Sequence, residues 1–179
     1  METLTKTKWG IDKAHSEIQF KARHLMITTV TVALKDYASD IETEGDDFSK
    51  ASIVFTGELK SASSGNEQRD GHLQGADFFD SANHPTLSFV STAMTKDSEN
   101  EYTLKGKLTL KGVTKEVSFK AELTGTVKDP WGNTKTGFHV TGKINRKDFG
   151  ISFNAVNETG GLLVGEEIKL DAELQLAKG

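Results

Sequence analysis

Residues 113–127 read VTKEVSFKAELTGTV. Apart from Lys115, one parity carries Val113, Val117, Phe119, Ala121, Leu123, Gly125 and Val127. The other carries Thr114, Glu116, Ser118, Lys120, Glu122, Thr124 and Thr126. A period of two marks a strand with one buried and one wet face. At ~3.3 Å per residue such a strand runs to about 50 Å. An open sheet of long strands leaves long unpaired edges, and closure into a barrel removes them.

The same rhythm extends in both directions. Ile18, Phe20, Ala22 and His24 share a face; so do Val30, Val32 and Leu34; Ile53, Phe55, Gly57 and Leu59; and Leu87, Phe89, Ser91 and Ala93. Beyond them come Tyr102, Leu104, Gly106, Leu108 and Leu110; Phe138, Val140, Gly142, Ile144 and Arg146; and Ile168, Leu170, Ala172, Leu174 and Leu176. With 113–127 these make eight strands, with a short extra one near Asp40–Glu44. Short polar or Gly-bearing links such as Lys111-Gly112 and Asp129-Pro130-Trp131-Gly132-Asn133 join antiparallel neighbours. The expected fold is all-β, an eight-stranded antiparallel up-and-down barrel, in a single domain over residues 1–179. Trp131 is expected to pack over a barrel end. Asn66–Phe79 breaks the rhythm. Asn66 is placed to cap a short helix and Asp77 a further turn, while Gly71 and Gly75 argue against a long one. One or two short helices over one barrel end follow, with Leu73, Phe78 and Phe79 as a plug.

Composition narrows the function. The chain has 179 residues, a net charge of −4, 17 Gly, 2 Pro and no Cys. No basic stripe points to nucleic acid, and the lack of cysteine removes disulfides, thiol catalysis and zinc–thiolate sites. The N-terminus has no apolar leader segment, and no run reaches the ~18 apolar residues of a membrane span. The reading is a cytoplasmic protein, or a periplasmic one if a leader has been removed. Asp70, His72, Asp77, Asp80 and His84 cluster in sequence without any fixed metal-ligand spacing, so no metal is expected.

The inner faces mix bulky residues with Ala22, Gly57, Ala93, Gly106, Ala121, Gly125, Gly142 and Ala172. Two readings stand: an open lumen for a slender apolar ligand, or small residues that relieve crowding in a filled barrel. Parity places His24 and Arg146 on the inner face. A buried cation needs a partner, either a polar or anionic ligand head or an ion pair with Asp148, Asp70 or Asp77.

Particular segments resemble a known family. Trp9-Gly10-Ile11-Asp12 with His15-Ser16-Glu17-Ile18-Gln19-Phe20 resembles the opening of the YceI-like family. Arg69-Asp70-Gly71-His72-Leu73 leading to Asp77-Phe78-Phe79-Asp80 resembles its central signature. Gly106–Thr114 and Ile144-Asn145-Arg146-Lys147-Asp148-Phe149-Gly150 resemble its later motifs. The resemblance implies a lipocalin-like barrel that binds polyisoprenoid or another long-chain lipid, without enzymatic activity or metal. Val32, Leu34, Ala38-Ser39 and Phe153 depart from the family pattern, Val32 standing where a glycine is usual.

The resulting expectation is an apolar lipid ligand, bound or stored by Phe20, His24, Phe55, Leu73, Phe78, Phe79, Phe89, Leu108, Val117, Phe119, Phe138, Ile144 and Arg146. No other cofactor, nucleic acid or membrane span is expected, and a homodimer is allowed. Two rivals remain: a structural or stress-related module with a filled barrel, and a hydrolase-type enzyme using Asp70, His72 and Asp77.

Overall fold

The computed structural model describes residues 5–25, 27–151 and 164–179; Phe153 falls outside them. The alternating segments form strands β1 (Lys6–Ile11), β2 (Glu17–His24), β3 (Thr28–Leu34), β4 (Tyr37–Glu44), β5 (Asp47–Glu58), β6 (Ala62–Ser63), β7 (Thr86–Lys96), β8 (Glu101–Leu110), β9 (Val113–Lys128), β10 (Thr134–Asn145) and β11 (Glu167–Lys178). Helix α1 (Glu67–Gln74) follows β6. The sheet runs β1-β4-β5-β7-β8-β9-β10-β11, and the pairing of β1 with β11 closes it. The ring is an eight-stranded antiparallel β-barrel. Strands β2 and β3 belong to the same ring as continuations of β1 and β4, since β11 pairs with β1 through Leu176–Lys178 and with β2 through Lys169–Glu173.

The ring has eight strands, as the alternation predicts, but three of them are broken. β1, which the alternation does not reveal, precedes β2 and is separated from it by a turn of 3₁₀ helix, Lys13–His15. Asp12 caps that turn through Ala14 N, 3.1 Å. The residues near Asp40–Glu44 are the far part of β4 and not an extra strand, and Ala38-Ser39 lies within it. Between β3 and β4 the chain steps across Lys35 and Asp36, whose amides donate to Ser61 Oγ at 3.2 and 2.8 Å. Ser61 lies in the 3₁₀ turn that separates β5 from β6. Each break exchanges a stretch of ladder for local caps, so the backbone polar groups stay paired.

Bulges correct the parity in two places. Thr92 is an extra residue between the Ser91–Gly106 and Ala93–Lys105 pairs. The face flips there, so Met94 is buried and Ala93 is exposed. Thr124 is extra between the Leu123–Phe138 and Gly125–Gly137 pairs. Beyond it Thr126 approaches the buried Thr136, 3.2 Å between hydroxyls, Gly125 is exposed, and Val127 points outward at 63% exposure. A single extra residue inverts a period-two pattern, and no alternation rule foresees it.

The two barrel ends differ. At the end of the β4–β5, β7–β8 and β9–β10 turns, Trp9, Phe48, Phe138 and Tyr102 stack at 5.0, 4.8 and 6.0 Å between successive ring centroids. Trp9 Nε1 donates to the buried Thr43 Oγ1 at 3.0 Å. Trp131 takes no part in this plug: it stands on the β9–β10 turn, 83% exposed. The opposite end carries the β8–β9 turn, where Lys111 and Gly112 both have positive φ, 52° and 75°, as a two-residue hairpin of the primed type requires.

Over that second end lies α1. Asn66 caps it as expected, accepting from Arg69 N at 3.0 Å. The expected second turn of helix after Asp77 does not form. Residues 75–84 make successive turns closed by Phe78 N to Gly75 O (3.1 Å) and His84 N to Asp80 O (2.8 Å), and Asp77 is occupied with His72. Lys111 Nζ donates to Ala76 O at 2.7 Å and Gln74 Nε2 to Leu59 O at 2.8 Å, tying this cover to the barrel rim.

Candidate functional site

The barrel interior contains two adjoining chambers. The lid-side chamber has a volume of about 260 Å³ and the inner one about 140 Å³. Phe20, Leu87, Leu108 and Ile144 line both and form the waist between them. Among the described residues Ser39 is the one polar residue lining the inner chamber, and none that line it is charged. Its end is stopped by Phe48 and Phe138 of the aromatic plug.

The inner small residues divide into two kinds. Ala22 lines the lid-side chamber, and Ala121 and Ala172 the inner one. Gly57, Gly106 and Gly142 instead seat neighbouring side chains, while Gly125 and Ala93 are exposed. A Cβ on Gly106 would stand 2.5 Å from Phe89 Cζ, one on Gly57 would stand 2.6 Å from Leu34 Cδ2, and one on Gly142 would collide with the ring of Phe119. The crowding-relief reading holds for these glycines, while the space remains where alanines and the lid meet.

The residues singled out from the sequence are distributed as follows. Phe20, His24, Leu73, Phe78, Phe79, Leu108, Ile144 and Arg146 line the lid-side chamber. Phe55, Phe89, Phe119 and Phe138 line the inner one. Val117 lies outside both: it pairs with Gly106 and packs, partly buried, against the core. Val32 and Leu34 line the lid-side chamber; Val32 sits opposite Phe20 in the β2–β3 ladder. Val30, Leu59, Leu87, Leu110 and Ile168 also line it, and their inner parity was visible in the sequence. Arg69 and His72 line it from α1, where no period of two exists to announce them.

Arg146 is buried and is not ion-paired with Asp148, Asp70 or Asp77. Its Nε donates to Gly165 O at 2.9 Å, Nη1 to Ile151 O at 2.8 Å and Nη2 to Val164 O at 3.2 Å. The five donors of the planar fork let one side chain serve three converging carbonyls. Burial pushes its pKa below the ordinary guanidinium value, and Glu166 nearby works against that. Glu166 itself is bound to Lys147 at 2.7 Å.

Asp70, His72 and Asp77 do not converge as a triad. Asp70 Oδ1 accepts from Ser64 N at 2.8 Å and from Ser64 Oγ at 2.5 Å. His72 Nε2 meets Asp77 Oδ2 at 3.1 Å, and its ring lies edge-on to Phe78 at 4.9 Å. Among the described residues no group of three or more His, Asp or Glu side chains is arranged to hold a metal ion. No helix among them is long and apolar enough to cross a membrane.

Comparison with known proteins agrees with this architecture. A YceI-like domain matches residues 9–176. A UPF0312 protein of Staphylococcus epidermidis is 37% identical over 174 residues, covering 96% of this chain and 98% of its own length. Among solved structures, a Campylobacter jejuni YCEI protein superposes with a TM-score of 0.74 at 30% identity, covering 98% of this chain and 97% of its own. Burkholderia cenocepacia BcnA reaches 0.79 at 22% identity, over 92% and 98% of the two chains. A polyisoprenoid binding domain from Saccharophagus degradans reaches 0.63 at 13% identity, over 97% and 98%, a likeness of fold. A closed eight-stranded barrel, a capped helix over one end and a match running nearly from end to end place this chain in the YceI-like family.

Proposed function

We propose that this protein binds a long apolar lipid of isoprenoid type inside the barrel, for storage or transfer, without chemical conversion. The observation that carries the reading is the pair of adjoining chambers walled by hydrocarbon, with an aromatic stop at one end and the helical cover at the other. Each methylene or methyl moved from water into such a wall contributes ~0.8 kcal/mol, so a chain filling both chambers needs no strong polar contact to stay bound. The Saccharophagus degradans neighbour is described as polyisoprenoid binding, which supports the same ligand class here. The separation of Asp70 from the His72–Asp77 pair supports binding over hydrolysis, because acid–base work requires groups within hydrogen-bond reach of one reacting atom.

The test is organic extraction of natively purified protein followed by mass spectrometry. A prenyl-type lipid recovered in near-stoichiometric amount is the expected result. Protein that yields no apolar molecule, even after incubation with polyprenyl lipids, would sink the reading and favour a filled barrel.

A further inference from the structure

The charged residues that line the lid-side chamber carry one sign. The basic side chains on its inward parity or on the lid are Arg69 and Arg146, joined by His24 and His72, and among the described residues no Asp or Glu lines it. Lys21 and Arg23 border it from the outward parity of β2, Lys21 paired with Asp171 on the outer face. Yet acidic side chains outnumber Lys and Arg in the chain by 26 to 22. Of the carboxylates on the cover, Asp77 is bound to His72 and Asp70 to Ser64. The chamber wall itself is hydrocarbon, so the charge available to a ligand is confined to the lid end, as a long basic side chain with its stem on apolar surface provides.

Arg69 is the best placed of them. Its Nε donates to Ser64 Oγ at 2.8 Å and Nη2 to Ser64 O at 3.1 Å. Ser64 Oγ in turn donates to Asp70. A relay through the Ser64 hydroxyl to the Asp70 carboxylate therefore holds the guanidinium in place, and no carboxylate among the described residues forms a direct ion pair with it. Arg146 adds a second cation on the same chamber, bonded to carbonyls alone. A guanidinium fixed in orientation and left without a direct ion pair has donors to offer a planar or tetrahedral oxyanion. No charged residue among those described lines the inner chamber, which orients a ligand with its tail inward and its head at the lid.

Resting on the lipid-binding reading, we propose that the ligand is a single-chain lipid with an acidic head, a carboxylate or a phosphate, and that Arg69 on the lid helix is its counter-ion. The experiment measures displacement of a bound apolar fluorophore by two matched pairs: palmitate against hexadecanol, and farnesyl phosphate against farnesol. In the parent protein the acidic member of at least one pair binds about tenfold tighter than its neutral partner, and that margin shrinks as added salt screens it. Which pair shows the margin separates a carboxylate head from a phosphate head. Arg69→Gln removes the margin and leaves the neutral lipids within about twofold of the parent, while Arg69→Lys keeps part of it. Lys128→Gln, exposed beside the β9–β10 turn at the opposite, aromatic end of the barrel, changes neither. Equal affinity for acidic and neutral members, or a margin that survives Arg69→Gln, overturns the inference while leaving lipid binding intact. Failure of all four lipids to displace the fluorophore overturns both.

Discussion

A Cβ on Gly106 would stand 2.5 Å from Phe89 Cζ and equally close to the Val90 carbonyl oxygen. The ring borders the inner chamber and can shift, but the Val90 carbonyl is held in the β7–β8 ladder and cannot. Gly106→Ala is expected to destabilise the barrel by about 1–3 kcal/mol, read as a lower urea midpoint with unchanged slope. On the outer face, Asp171 lies 2.8 Å from His139 Nε2 and 3.2 Å from Lys21 Nζ. The His139 hydrogen bond, followed by the bond and charge of Lys21, holds its carboxyl below the ordinary range against a partial burial cost. A depressed folded-state pKa contributes stability above the unfolded value of about 3.9, and that contribution is lost as pH falls through the folded value. Asp171→Asn is thus expected to lower Tm near neutral pH, with the gap to the parent closing as pH falls below about 4. A gap that persists in acid would mean that the contact acts through packing and not charge.

Two elements depend on single side chains. Arg146 bonds the carbonyls of Ile151, Val164 and Gly165, joining the end of β10 to the approach to β11. Arg146→Met leaves those carbonyls without their charged donor, and a loss of about 3 kcal/mol is expected in chemical denaturation. Arg146→Lys recovers only part, since one ammonium cannot reproduce the three-way fork. Helix α1 contains no buried residue, so its cap matters more than its packing. Asn66→Ala is expected to cost the helix about 1 kcal/mol. Native-state hydrogen exchange would show faster exchange of α1 amides with the barrel amides unaffected. Equal loss of protection throughout would mean that the cover and the barrel open as one unit.

At the scale of the molecule, the proposed lipid binding makes the width of the lid-side chamber a limit on what the barrel holds. Val32 faces Phe20 across the β2–β3 ladder, and both line that chamber. Val32→Gly removes a branched side chain from the wall and is expected to cost about 2–3 kcal/mol. It also widens the chamber, so the lipids extracted from the variant should shift to longer or bulkier chains. An unchanged lipid profile would show that the waist residues, and not Val32, limit what enters.

Period-two alternation determined most of the fold by itself, because the inward face of a strand must be apolar wherever it is buried. It also located most of the chamber walls, and Asn66 before a non-alternating stretch announced the capped helix. The broken strands, the bulges at Thr92 and Thr124, and the exposed Trp131 were decided only in the tertiary structure. Each depends on which residue of a neighbouring strand stands opposite, and local sequence carries no record of that pairing. The same holds for the site. Whether a small inner residue leaves space or seats a ring is set by its cross-strand neighbour, as Ala22 and Gly142 show with opposite outcomes. The partners of Arg146 and the position of Arg69 arise where segments distant in the chain meet over one barrel end, and there the geometry of closure, not periodicity, brings charges together.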